Sequence, residues 1–323
     1  MSRRLRVGLT LLLTSLAVAY LVWKVDLADT IDTLLDANPW WFALSVGIMI
    51  GTALPMALRW QWMMRAQGMD DSFAWLTRAY FVSYTASQVL PTSIGGDAMR
   101  VYETARRHPG RTGDVTGIIL LERGLGGAGT VLLGAIGFAL AVGHYDVSAY
   151  LWLEGLFVFG TLVLMFLFFA RSARPLLARA RPLLRRLRVE RPLRVLYDGI
   201  HAFRGHPRLL LGVFVFTTVI QAVRILSIWA AAKAVGIELS PRIYFVMGPL
   251  FFLILILPIT LNGIAVREAF FVSFLGSVGV AADTAFAAGF LFFLVTTLLA
   301  APGAVILLRE GLRGRPRAGI EHG

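Results

Sequence analysis

Long apolar runs bounded by charge recur along the chain at the length a bilayer demands. A hydrocarbon core of about 30 Å needs ~20 apolar residues as helix. Six runs approach or reach that length, over residues 7–23, 40–58, 115–142, 149–170, 209–232 and 284–308. Two further segments, 73–103 and 244–280, are apolar, then broken by Pro and Gly, then apolar or amphipathic again. In the first of them the ascending arm carries Arg78, Ser83, Thr85, Ser87 and Gln88, and the descending arm carries Asp97, Arg100, Glu103, Arg106 and Arg107. In the second the ascending arm 244–257 would reach only ~21 Å at about 1.5 Å per residue. Neither reads as a span. Both predict re-entrant helix–loop–helix hairpins, whose irregular backbone survives at membrane depth only when buried in protein or facing a wet cavity. The expected fold is an all-α polytopic membrane protein of about six transmembrane helices and two re-entrant hairpins.

Composition agrees with the pattern. Hydrophobic residues make up 57% of the chain and charged residues 15%, outside the soluble range in both directions. The absence of cysteine excludes disulfide scaffolds, thiolate metal sites and Cys nucleophiles. The net charge of +12 is informative only by position. Arginines cluster at Arg3, Arg4 and Arg6, in eleven places between Arg171 and Arg208, and at Arg309, Arg313, Arg315 and Arg317. Positive loops stay cytoplasmic, so all three clusters, and both termini, are expected on the cytoplasmic side of the membrane. The first apolar run is followed by Trp23, Lys24 and Asp26 rather than a small-residue cleavage site, which predicts a retained signal anchor. Residues 171–208 combine arginines with Pro175, Pro182, Pro192 and Pro207. They read as a basic amphipathic linker on the inner headgroups. No aromatic platform is interleaved with those arginines, which argues against nucleic acid.

The two hairpins resemble each other in sequence. Leu90-Pro91-Thr92-Ser93-Ile94-Gly95-Gly96-Asp97-Ala98-Met99-Arg100 aligns without a gap on Leu257-Pro258-Ile259-Thr260-Leu261-Asn262-Gly263-Ile264-Ala265-Val266-Arg267. The expected orientation sends the first hairpin in from the cytoplasm and the second from the opposite side. One membrane domain is therefore expected, with an inverted pair of repeats over about 40–142 and 209–308 joined by the 171–208 linker. Inverted repeats with broken helices meeting near the midplane are a transporter architecture; an old duplication kept only for packing is the competing explanation.

The candidate chemistry lies in charges at depth. Arg100 and Arg267 each follow a Pro-Gly break by about a turn. Each would project from the first turn of its descending helix, where free N–H groups and the helix dipole already favour an anion. Arginine adds a planar fork suited to phosphate. Each could equally be neutralised by a neighbour, Asp97 or Glu103 for Arg100 and Glu268 for Arg267. Glu122 and Arg123 within the third run read either as cavity lining and proton coupling or as a structural pair. Arg224, near Gln221 in the fifth run, has no acid within a helical turn. The expected substrate-binding set is Arg100, Arg267, Arg224, Arg123, Ser93, Gly96, Thr260, Asn262 and Gly263. Asp97, Glu103, Glu122 and Glu268 are the expected gating or coupling acids. The run Gly124, Gly126, Gly127, Gly129, Thr130 and Gly134 offers a small-residue face for close helix packing or sliding.

These motifs resemble a known family. Pro91…Gly96-Asp97…Arg100 looks like its Pro-x-x-x-Gly-Glu/Asp-x-x-Arg loop, Glu122-Arg123 like its Glu-Arg pair, and Gly263…Arg267-Glu268-Ala269 like its Gly-x-x-x-Arg-Glu-Ala loop. The family is the flippase-like membrane domain of lysylphosphatidylglycerol synthases, which is also found alone in small inner-membrane proteins, and the resemblance covers nearly the whole chain. Two departures stand out. Glycines replace the acid that usually follows Glu-Arg, and Asn262 and Ala265 stand where glycines are frequent. The resemblance implies phospholipid translocation, with stand-alone members tied to polyprenyl-phosphate sugar, glycolipid or hopanoid pathways.

The expected function is therefore a lipid translocase. It would pass an anionic phospholipid or a polyprenyl phosphate headgroup through a polar groove between the hairpins. An enzyme is not expected, since no run contains a histidine to assist a serine nucleophile and no carboxylate or His cluster has metal spacing. Neither a metal nor another cofactor is expected. A non-transporting accessory subunit of a lipid pathway is the alternative, and a second copy of the chain or a lipid-pathway enzyme is the expected protein partner.

Overall fold

The structure is a computed structural model that describes residues 15–16, 18–89, 95–141, 150, 152, 155–156, 159, 203, 205–256 and 265–312. Every regular element among them is a helix: α1 (Leu27–Leu35), α2 (Pro39–Gly51), α3 (Ala53–Ala66), α4 (Phe73–Val89), α5 (Gly95–Arg107), α6 (Thr112–Ala141), α7 (Pro207–Ala234), α8 (Pro241–Ile256), α9 (Val266–Ser277) and α10 (Ala282–Leu312).

Among the described residues, four helical stretches are long and apolar enough to cross a membrane: Pro39–Ala66, Thr112–Ala141, Pro207–Ala234 and Ala282–Glu310. They correspond to four of the six expected spans. The expected spans over 7–23 and 149–170 fall largely outside the described residues, as does most of the basic linker. The outer faces of the four carry exposed apolar side chains, among them Leu132 and Ile136 on α6, Leu211 and Val215 on α7, and Val305 on α10. Such faces suit lipid.

The first of the four runs about two turns beyond its expected end at Leu58. Arg59 and Gln61 do not stop the helix because both are buried in protein rather than set against lipid. Asn38 starts it, its side chain accepting from the Trp40 and Trp41 amides, with Pro39 in the first turn. Thr52 separates α2 from α3. Pro55 supplies the cause, since it has no N–H to offer the Gly51 carbonyl and its ring crowds that turn.

The four remaining larger helices are short. At about 1.5 Å per residue, α4, α5, α8 and α9 extend ~26, ~20, ~24 and ~18 Å, all below the hydrocarbon thickness. α4 packs on α5 and α8 on α9, yet the strongest neighbours of the ascending arms lie elsewhere: α4 lies along α10 and α8 along α6. Both of the latter contacts are glycine-mediated. A Cβ on Gly303 of α10 would stand 2.0 Å from the Phe81 carbonyl oxygen, and one on Gly137 of α6 would stand 2.2 Å from that of Phe245. Pro249 leaves the Phe245 carbonyl without its helical donor, at the place where α6 comes closest. Between the halves, α2 and α7 are joined by Ser45 and Ser227. Each hydroxyl donates to the other's carbonyl, at 2.8 and 2.9 Å.

Two apolar clusters result. One gathers α3, α4, the first turns of α6 and Val213 of α7 around Trp60, Met63, Met64 and Leu76. The other joins α2 with α7 through α10 around Tyr244, Phe251, Phe271 and Phe292.

Candidate functional site

A cavity of about 380 Å³ touches both clusters, meeting Tyr80 of one and Met49, Phe251 and Phe292 of the other. Its polar lining is Arg59, Arg100, Arg123, Arg224, Asp97 and Glu122, with Ser83, Ser87, Thr130, Thr217, Gln221 and Thr296. Helices of both halves of the chain contribute.

Glu122 is the centre of an ionic network. Arg59 binds one carboxylate oxygen, Nε at 3.2 Å and a terminal nitrogen at 3.1 Å. Arg100 donates to the other at 2.8 Å. Tyr80 reaches the same carboxylate at 3.3 Å, and Arg59 also donates to Thr217 Oγ1 at 3.0 Å. The Arg59 and Arg100 side chains are 4% exposed and that of Glu122 is 1% exposed. At such burial a single uncompensated charge is strongly unfavourable, so the three hold as a unit. The Arg100 guanidinium also lies over the Trp60 and Tyr80 rings, 4.9 and 4.5 Å from their centroids.

Asp97 extends the network. One of its oxygens accepts from Arg100 at 2.9 Å and the other pairs with Arg123. Adjacent in sequence, Glu122 and Arg123 bind different groups: Glu122 binds Arg59 and Arg100, and Arg123 binds Asp97. Arg224 is half-buried in the same cavity and its Nε lies 3.4 Å from Met49 Sδ. No ion pair joins it to a carboxylate among the described residues.

The expected site residues therefore separate. Arg100, Arg123, Arg224, Asp97 and Glu122 meet at one cavity. Arg267 is not among its lining residues. It lies in the first turn of α9, paired with Glu268 at 2.9 Å and beneath the Phe293 ring at 4.6 Å. Arg100 is one turn deeper in α5 than expected, because α5 already begins at Gly95. Of the two acids expected beside Arg100, Asp97 is bonded to it and Glu103 is not; Glu103 meets Arg78, which also binds Glu310 of α10 at 2.6 Å. Gly96 faces α4, where a Cβ would stand 2.2 Å from Ser87 Oγ and 2.5 Å from the Ser83 carbonyl oxygen. Its role in the structure is close packing of the hairpin arms. Ser93, Thr260, Asn262 and Gly263 lie outside the described residues.

Sequence reasoning missed Arg59, Tyr80, Trp60 and Thr217. The available signal was Trp60, Trp62, Met63 and Met64, which continue the apolar run past Arg59 and would have placed that arginine inside a span.

Beside the cavity, between α5 and α6, lies an apolar groove of about 740 Å³ lined by Ala98, Val101, Tyr102, Ile119 and Leu120, among others. Asp97 and Arg123 line both spaces.

Over 106 residues the chain is 32% identical to a protein named Glycosyltransferase AglD from Haloferax volcanii, a match that covers 33% of this chain and 17% of that protein's length. Residues 7–303 match the family model described as the lysylphosphatidylglycerol synthase TM region, and with nearly its whole length matched the chain belongs to that family.

Proposed function

We propose that the protein is a lipid translocase in which the arginine-lined cavity takes an anionic headgroup while the tails remain in the α5–α6 groove and the surrounding lipid. The observation that carries this reading is the juxtaposition of the two spaces, one polar and one apolar, divided by the Asp97–Arg123 ion pair. That is the shape an amphiphile requires. Depth supports it: Glu122 lies ~15 Å along α6 from Thr112, and Arg224 ~15 Å from the Ala234 end of α7, each near the middle of a ~30 Å core.

The exchange of helices supports an inverted repeat of 40–142 and 209–308. The first hairpin's ascending arm packs on the last helix of the second half, and the second hairpin's on the last helix of the first. Ser45 and Ser227 lie where such a pseudo-twofold would cross. In this reading short arms enter from opposite sides and six spans leave both termini cytoplasmic, which the arginine distribution supports. Arg267 and Glu268 then occupy the counterpart of the Arg100 position, and serve as the second half's closed ion pair while the first half's cavity is loaded.

Leaflet-resolved transport of labelled phosphatidylglycerol in proteoliposomes tests the proposal. The wild-type protein moves the label, and Arg224→Ala, which breaks no ion pair among the described residues, slows it at least about tenfold with its thermal stability retained. Equal rates with and without protein would dismiss the translocase. They would leave the accessory role, which the partial likeness to a named glycosyltransferase favours.

A further inference from the structure

We infer that the groove between α5 and α6 docks one anionic phospholipid of the adjoining leaflet, its phosphate beside Arg106 at the outer end and an acyl chain along the apolar floor. The inference rests on the proposed translocase and adds the place where its substrate is held before the cavity. The groove, of about 740 Å³, lies between two helices joined by the turn 108–111. It extends from Arg106 and Thr112 at that turn to Asp97 and Arg123 at depth. Asp97 and Arg106 are about 14 Å apart along the helix. Between these ends α5 presents Ala98 and Val101, and α6 presents Ile119 and Leu120. A polar outer end followed by an apolar floor matches a lipid in its leaflet orientation. In the proposed topology that leaflet is the cytoplasmic one.

Arg106 differs from the other arginines of the first half at this end of the bundle. Arg65 pairs with Asp70, Arg78 with Glu103 and Glu310, Arg107 with Asp71, and Arg111 with Asp114. Arg106 is paired with no carboxylate among the described residues, and it is the one of the five that lines the groove. The contrast with Arg107 gives the cause. Arg107 turns towards the α3–α4 turn, where it donates to the buried Asp71 at 2.7 Å and lies over the Trp75 ring at 4.6 Å. That fastens the base of the hairpin and leaves its neighbour facing the groove. There Arg106 donates to Tyr102 Oη at 3.2 Å and lies 5.6 Å from the centroid of that ring. Tyrosine beside arginine suits the headgroup level. The planar guanidinium fork matches phosphate oxygens, and an arginine near the membrane surface attracts anionic lipid.

Photolabelling tests the docking site. Phosphatidylglycerol or phosphatidylcholine, each with the same diazirine near an acyl-chain end, is added at trace level to the full-length chain in phosphatidylcholine nanodiscs, and the labelled residues are mapped by mass spectrometry. Label should fall on Val101, Ile119 and Leu120, with phosphatidylglycerol exceeding phosphatidylcholine about fivefold, the effect of one arginine near the headgroups. Arg106→Gln should bring that ratio close to one, and Arg106→Lys, which keeps the charge, should preserve it. Arg65→Gln removes the same charge from the same end of the bundle and should leave the ratio unchanged. Equal labelling by the two lipids in the wild-type protein, a ratio unmoved by Arg106→Gln, or one lost as fully in Arg65→Gln overturns the inference. So does label confined to other helices. Selective labelling in a protein that moves no lipid across proteoliposomes would dismiss the translocase and leave the docking site standing. Lipid movement without selective labelling would do the reverse.

Discussion

Asp97 of α5 and Arg123 of α6 are joined by an ion pair, and they are the two residues that line the polar cavity and the apolar groove alike. A lipid whose headgroup enters the cavity from the groove has to pass between them. The pair is well placed to part. Arg123 is 40% exposed and faces both spaces, whereas Asp97 is 17% exposed. Asp97 keeps its bond to Arg100 when Arg123 swings away.

Fixing this door closed should stop transport. The chain has no cysteine of its own, so the double variant Asp97→Cys/Arg123→Cys carries the two thiols that a short bis-thiol cross-linker would join. Lipid movement should cease on treatment with the cross-linker and be unaffected by a monofunctional thiol reagent of similar size. Transport that continues at full rate with the link in place would show that headgroups take another path.

The Glu122 carboxylate should matter more to folding than any other acid in the membrane region. Two guanidiniums that are 4% exposed depend on it. Glu122→Gln leaves Arg59 without a carboxylate and Arg100 with Asp97 alone, at a cost of about 3–5 kcal/mol, read as a lowered unfolding midpoint in detergent. Adding Arg59→Leu removes the orphaned charge, so the double variant should lose less than the sum of the single ones. Strict additivity would mean that Arg59 and Glu122 do not stabilise each other.

Much of this arrangement was legible from periodicity and charge because membrane spans obey a simple rule. An apolar run of sufficient length with charged ends predicts a helix, and four of the six runs correspond to helices, one of them about two turns longer than expected. Glu122, Arg123 and Arg224 could be singled out because a charge inside an apolar run stands out, and Asp97 and Arg100 because they follow the Pro-Gly break of a hairpin. Arg59 is less legible, since a charge near the end of a run looks like a boundary although Trp60, Trp62, Met63 and Met64 continue it, and its partners Glu122 and Thr217 lie on distant helices. Which acid neutralises which arginine was equally hidden. Glu122 and Arg123 are neighbours in sequence but point in different directions around α6, and their partners are set by how α3 and α5 pack against it. Gly96 was read as a ligand-binding position, whereas its Cα faces Ser83 and Ser87. A glycine that permits close approach and one that borders a ligand are identical in sequence.

The glycines of α6 should divide by this distinction. Gly127 lines the cavity with open space where a Cβ would go, so Gly127→Ala should stabilise the helix by about 0.5–1 kcal/mol while narrowing the headgroup space and slowing transport. Gly137 has the Phe245 carbonyl in that direction, so Gly137→Ala should force α6 and α8 apart and cost about 1–3 kcal/mol. Thermal unfolding of the two variants side by side should show shifts of opposite sign. Shifts of the same sign would contradict the packing of α6 on α8.

Ala265 offers a second pair of opposite signs, this time across the duplication. The aligned sequences match Ala98 with Ala265, but their backbones differ. Ala98 is inside α5, which starts at Gly95, whereas α9 starts only at Val266 and Ala265 caps it with φ 66° and ψ −39°. It is the one residue other than glycine with positive φ among the described residues. This conformation lies near the strained γ-turn region and costs an L-residue roughly 1–2 kcal/mol. Ala265→Gly removes the strain and gives back about 0.4–1 kcal/mol through the freer unfolded chain. A net gain of about 0.5–1 kcal/mol should follow, seen as a raised unfolding midpoint. Ala98→Gly has no strain to relieve and should lower it by about 0.5–1 kcal/mol. A loss of stability in Ala265→Gly would show that the turn before Arg267 is relaxed as it stands, and that the two halves differ less in backbone than in sequence.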